Sequence, residues 1–156
     1  MYEMLGNQQF LARNYDKAAE YLARAAAKDP GNKGIRRKLI ICYTQLGKVD
    51  DALSVFLPLV MEDADFIIRT HPVDDDCPCR EMVYDMESRT RSTEKSMGEQ
   101  IILGILWLYC DLEKSIQYFE QAHNTAPENP AVKTVLTILY ARFEKERMKK
   151  SLNKDH

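Results

Sequence analysis

A 34-residue periodicity constrains this chain more than any other feature. Ala18 and Ala52, Leu22 and Phe56, and Ala25 and Leu59 each stand 34 residues apart, and Leu5 precedes Leu39 by the same step. A repeat of that length is one supersecondary unit copied along the chain, each copy burying its apolar face against the next. Tyr15, Ala18, Ala19, Leu22, Ala25 and Ala26 recur at helical spacing in the first copy, as do Val49, Ala52, Leu53, Phe56, Leu59 and Val60 in the second. Ile35, Leu39, Cys42, Tyr43 and Leu46 form a similar stripe between them. Stripes at three- and four-residue intervals mark amphipathic helices, so each unit reads as a helix pair. The small Ala18 and Ala52 let paired helices approach closely, while Leu22 and Phe56 fill the space beside them.

The punctuation agrees with this reading. Gly47 can end the middle helix, because glycine tolerates the left-handed conformation that many helix ends require. Asp29-Pro30-Gly31-Asn32 closes the first unit with turn-forming residues. Pro58 falls inside the following helix and is expected to kink it or end it early.

A third copy spans residues 103–130, with Leu112, Ser115, Ile116, Phe119 and Ala122 on one face and a turn one residue shorter at Cys110-Asp111. Ser96 and Glu99 make a capping box, which predicts a helix starting near Met97. Asn129-Pro130 opens a last helix that carries Val132, Val135, Leu136, Leu139 and Phe143 and covers the final apolar face. Beyond Glu144 the pattern gives way to charge, and residues 149–156 read as a frayed tail. The expected fold is all-α: antiparallel helix pairs in a single domain over residues 1–148, with a capping helix. Residues 65–95 are irregular. Ala52 to Ser115 is 63 residues, five short of two periods. The segment is either a degenerate repeat, with Phe66-Ile67-Ile68 as the stub of one helix and residues 79–89 as the next, or an insertion.

Taken together, these residues resemble the tetratricopeptide repeat. The resemblance rests on Leu5-Gly6, Asn14-Tyr15-Asp16-Lys17-Ala18, Leu22, Ala25 and Pro30, then Tyr43, Gly47, Ala52 and Phe56, then Leu103-Gly104, Phe119, Ala122 and Pro127. It covers residues 1–64 and 96–132. The second unit departs from the pattern, with Ile40 in place of a glycine and Ala64 in place of the closing proline.

The resemblance implies an α-solenoid that binds another protein or a peptide on the concave surface made by the first helix of each pair. Mapped onto this chain, that surface displays Asn7 and Phe10, then Arg37, Lys38 and Ile41, then Ile105 and Leu108. Arg37 and Lys38 would take acidic groups, the others apolar ones, and Trp107 is a plausible interface anchor. Some members of the family hold acidic chaperone tails in a carboxylate clamp. Asn7 matches one clamp position, but Glu3 stands where a lysine is needed and Lys38 where an asparagine is, so that ligand is not expected.

Composition narrows the alternatives. A net charge of −2 lacks the basic excess of a nucleic-acid binder. The longest apolar run, residues 101–110, is half the roughly 20 residues a membrane span needs. No early stretch resembles a signal peptide, and the expected compartment is the cytoplasm. Residues 101–110 are apolar around the whole helix, which calls for burial in the array or for cover by a ligand or a second copy, making a homo-oligomer one option. There are four cysteines, expected as thiols, with Cys42 and Cys110 as small core residues.

Residues 71–79 carry the one alternative chemistry. His71, Cys77 and Cys79, with a neighbouring aspartate, could ligate a metal or respond to an oxidant. The cysteine spacing is poor for zinc, and a Cys77–Cys79 bridge would close a very small ring. An acidic loop capping the helix that follows is the simpler reading. No phosphate-binding glycine loop, nucleophile elbow or zinc-protease motif is present. His123 has no acidic partner in sequence, and an acidic setting opposes a nucleophilic Cys77 or Cys79. Neither catalysis nor a cofactor is expected.

Overall fold

The computed structural model describes residues 1–71, 75, 77–89 and 95–154. Among them are eight helices and no strand: α1 (Tyr2–Leu11), α2 (Tyr15–Lys28), α3 (Lys33–Gln45), α4 (Val49–Ile68), α5 (Cys79–Arg89), α6 (Met97–Leu108), α7 (Leu112–Thr125) and α8 (Pro130–Lys154). The helices group into two compact units, Met1–Pro78 and Cys79–His156.

In the first unit α1 pairs with α2, α2 with α3, and α3 with α4. The stripes read from the sequence are the buried ones: Ala18, Leu22, Ala52, Phe56 and Leu59 have no exposed surface. Gly6 on α1 lies against Leu22 of α2 so closely that a Cβ would sit 2.7 Å from the leucine Cγ. Asn32 caps α3 by accepting a hydrogen bond from the Ile35 N–H at 3.2 Å, satisfying one of the donors a helix start leaves unpaired. Gly47, at φ 70°, ends α3. Its N–H bonds the Thr44 carbonyl and the Lys48 N–H bonds Tyr43, the paired bonds of a Schellman motif.

Pro58 does not break α4. The helix passes through it, and the break comes at Asp63, whose backbone is extended (φ −161°, ψ 83°). Pro58 and Ser54 both face solvent. The Ser54 carbonyl deprived of its helical donor can therefore be hydrated, which lowers the cost of a mid-helix proline. A helical turn after Asp63 carries Phe66 and Ile67, and Ile67 is fully buried.

In the second unit α6 is packed by α7 and by α5, and α7 by α8. Residues 101–109 are all buried, which explains a helix apolar on every side. Gly104 repeats the arrangement at Gly6, with a Cβ there falling 2.8 Å from the Phe119 ring. The buried Ser115 hydroxyl donates to the Gly104 carbonyl at 2.6 Å and pins α7 to the same turn. Ser96 accepts from the Glu99 N–H, so α6 starts at Met97 as the capping box predicts. Asp111 and Asn129 cap α7 and α8 in the same way.

Two expectations change here. α8 continues to Lys154, so residues 149–154 are helical. Strong helix formers and ion pairs at one-turn spacing, Glu144–Arg147 and Arg142–Glu146, support helix where the apolar pattern has stopped. Cys110 is not a core residue: α6 ends at Leu108 and leaves Cys110 exposed in the turn.

Candidate functional site

The first unit gathers its charge on α3. Lys33, Arg36 and Arg37 share the side of the helix that meets the end of α4. Lys33 Nζ lies 3.0 Å from Asp63, and Arg36 lies 2.8 Å from Glu62. Arg37 reaches Asp75 at 3.1 Å, donates to the Phe66 carbonyl at 3.3 Å and stacks 4.4 Å from the centre of the Phe66 ring. The hydrogen bond from Arg36, aided by its charge, holds the Glu62 carboxyl below its usual range. Asp75 is held low first by the His71 backbone N–H, which donates at 2.7 Å, and also by Arg37. The basic run is thus neither a solvated face nor an open anion site over most of its length. Its cations tie α3 to the carboxylates that follow it.

Lys38 is the exception. Its ammonium donates to the Asn7 side-chain oxygen on α1 at 3.1 Å and sits 5.6 Å from the centre of the Phe10 ring. It is the one cation of the α3 row without a carboxylate partner among the described residues. The pair opens onto a recess of about 160 Å³, which Glu3, Arg37 and Asp75 also line.

The other residues predicted for the binding surface are buried. Phe10, Ile41, Ile105, Trp107 and Leu108 are each at most 5% exposed, so as packed they offer a partner almost no surface. In the second unit Trp107 donates its indole N–H to Glu87 at 2.9 Å, and Tyr118 donates to the same oxygen at 2.8 Å. Tyr84 meets the Trp107 ring edge-on, and Lys114 sits 4.2 Å from the ring centre. Sequence reasoning missed this cluster because Glu87 lies in the irregular segment, outside the repeat register.

The loop chemistry changes as well. Cys77 and Cys79 are disulfide-bonded and buried, where thiols were expected, so neither sulfur is available as a thiolate ligand or nucleophile. Cys42 and Cys110 are free, and burial pushes the Cys42 thiol up to about 12. No cluster of three metal-ligating side chains occurs among the described residues. Asp74, Asp76 and His156 lie outside them. No helix among the described residues is long and apolar enough to cross a membrane.

Close-packed helix hairpins repeated on one plan, with a glycine of one helix under a large side chain of the next, define a helical-repeat protein. Residues 9–69 match the tetratricopeptide repeat family model. Such repeats are generally protein–protein interaction modules and typically scaffolds rather than enzymes. No curated protein and no solved structure matches the chain.

Proposed function

We propose that the chain is a protein-binding module whose first unit takes an acidic side chain or carboxylate of a partner protein at Lys38, with Asn7 and Arg37 beside it. The observation that carries this reading is the state of Lys38. Its ammonium is oriented by Asn7 in a recess that Glu3 also lines, yet makes no ion pair with a carboxylate among the described residues. A partly buried cation held in place by a neutral amide gains more from an incoming anion than a freely hydrated one, because less of its freedom remains to be lost. Arg37 is already paired with Asp75 and supplies shape and a hydrogen-bonding edge rather than an unmet charge. The buried Phe10, Ile41, Ile105, Trp107 and Leu108 support the helices and are not part of the proposed contact.

Affinity capture from a source-cell lysate tests the reading with three forms: the native chain, Lys38→Glu and Lys38→Arg, each checked for helical content by circular dichroism. Arg37 stays unchanged, since reversing it would set two like charges against each other at Asp75. A specific protein held by the native chain and by Lys38→Arg, released by moderate salt and lost from Lys38→Glu, is the expected result. A partner retained equally by Lys38→Glu would move the contact to another surface. The absence of any specific partner would remove the reading's main support.

A further inference from the structure

In the second unit, α7 and α8 leave a groove of about 320 Å³. Ile116 and Phe143 line it, and so do Glu113, Glu120 and Glu144; no cation is among its lining residues. Since Glu113 near the start of α7 lies beside Glu144 of α8, everything past Glu144 runs beyond the end of α7. Those last ten residues of α8 are about 15 Å of helix. They carry the opposite character to the groove. Met148 and Leu152, one turn apart, are 63% and 62% exposed, and Lys145, Lys149 and Lys150 beside them make no ion pair among the described residues.

We infer that the groove between α7 and α8 receives the last turns of α8 from a second copy of this chain, forming a weak symmetric dimer. The argument is complementarity held on one helix. The groove wall uses α8 at Tyr140, Phe143 and Glu144, and the matching apolar and cationic residues follow within three turns. Two α8 helices laid antiparallel set residue 140 of one opposite residue 152 of the other, and 144 opposite 148. Both grooves are filled at once, so the contact closes as a two-fold pair and does not propagate. Met148 and Leu152 leave water against Tyr140 and Phe143 of the other copy, over the floor that Ile116 makes, while the lysines meet its glutamates. The contact is short, below the area typical of stable dimers, so association is weak and depends on protein concentration.

Sedimentation velocity over a wide concentration range tests this on the full chain. The expected result is a monomer–dimer equilibrium that shifts toward monomer as salt rises, because the screening length falls from about 10 Å at 0.1 M to about 3 Å at 1 M. Lys149→Glu/Lys150→Glu makes both groove and tail acidic, and Glu113→Lys/Glu120→Lys makes both basic, with Glu144 the one carboxylate left among the groove's lining residues. Each variant alone should dimerise at least about tenfold more weakly, since like charges are then forced together. An equimolar mixture should recover dimer, because each groove again meets a tail of opposite charge. All four positions are exposed, and circular dichroism verifies that each variant is folded. A monomer at every concentration overturns the inference, as does a dimer indifferent to both variants. Failure of the mixture to recover also overturns it.

Discussion

Arg13 and Gly47 occupy the same place one repeat apart, each in the left-handed conformation just past the end of a helix, at φ 62° and 70°. The bonds around them are equivalent. The Arg13 N–H reaches the Phe10 carbonyl and the Asn14 N–H reaches Gln9, as Gly47 and Lys48 reach Thr44 and Tyr43. Only the glycine holds this geometry without steric cost. Arg13→Gly is therefore expected to stabilise the chain by roughly 0.5–1 kcal/mol, the relief of left-handed strain less the extra freedom glycine gives the unfolded chain. Gly47→Ala should destabilise by about 1 kcal/mol. Urea unfolding of both variants measures the pair, and an Arg13→Gly protein weaker than native would contradict the prediction.

Gly104 predicts the cost of close approach. Alanine there must displace the Phe119 ring, fixed between helices and unable to swing aside, so a loss of roughly 1–3 kcal/mol is expected. Gly31 is the control: no atom lies within 4 Å of a Cβ built there. Thermal unfolding should show Gly104→Ala melting clearly below native and Gly31→Ala close to it.

Adjacent cations on α3 should behave differently. Arg37→Ala removes an ion pair, a hydrogen bond to the Phe66 carbonyl and an aromatic contact, for a stability loss of roughly 1–3 kcal/mol. Lys38→Ala gives up one hydrogen bond to a neutral amide and should cost under about 1 kcal/mol while weakening partner capture. Chemical denaturation alongside the capture assay separates the two effects. Equal destabilisation by both substitutions would contradict the assignment.

Tyr118 gives an alkaline signature. Burial, the hydrogen bond to Glu87 and that carboxylate's charge push its phenol up to about 12. A raised folded value means the stabilisation is fully present below the unfolded tyrosine value of about 10 and is lost as pH rises through about 12. Ultraviolet titration should show this phenol ionising after ordinary tyrosines. Tyr118→Phe should flatten the loss of stability between those two values, and an unchanged alkaline limb would mean Glu87 and Tyr118 do not interact in solution.

The repeat made most of the fold legible. Helix starts at Met97 and Pro130, the stop at Gly47 and the buried stripes all follow from local rules visible in the residues. The misreadings share a cause: each involved a group whose partner the sequence does not mark. Pro58 was expected to kink α4 or end it early, but the cost depends on whether the Ser54 carbonyl meets water. The basic run at residues 36–38 reads from the sequence as a solvated face or a site for acidic groups, because nothing in its neighbourhood announces Glu62 and Asp75. Phe10, Ile41 and Ile105 fit a helical face, yet whether that face is open depends on what packs above it. Lys38 and Asn7 could be singled out from the repeat register; the neutral bond between them could not.

The glycine contacts have a further consequence for how the chain acquires its structure. Gly6 meets Leu22 and Gly104 meets Phe119 across single tight turns, so each tight contact joins neighbouring stretches of chain. Closing so short a loop costs little entropy, and folds rich in such local contacts form quickly. A ribosome need release only the first hairpin for α1 and α2 to begin locking together, long before α6 has been synthesised.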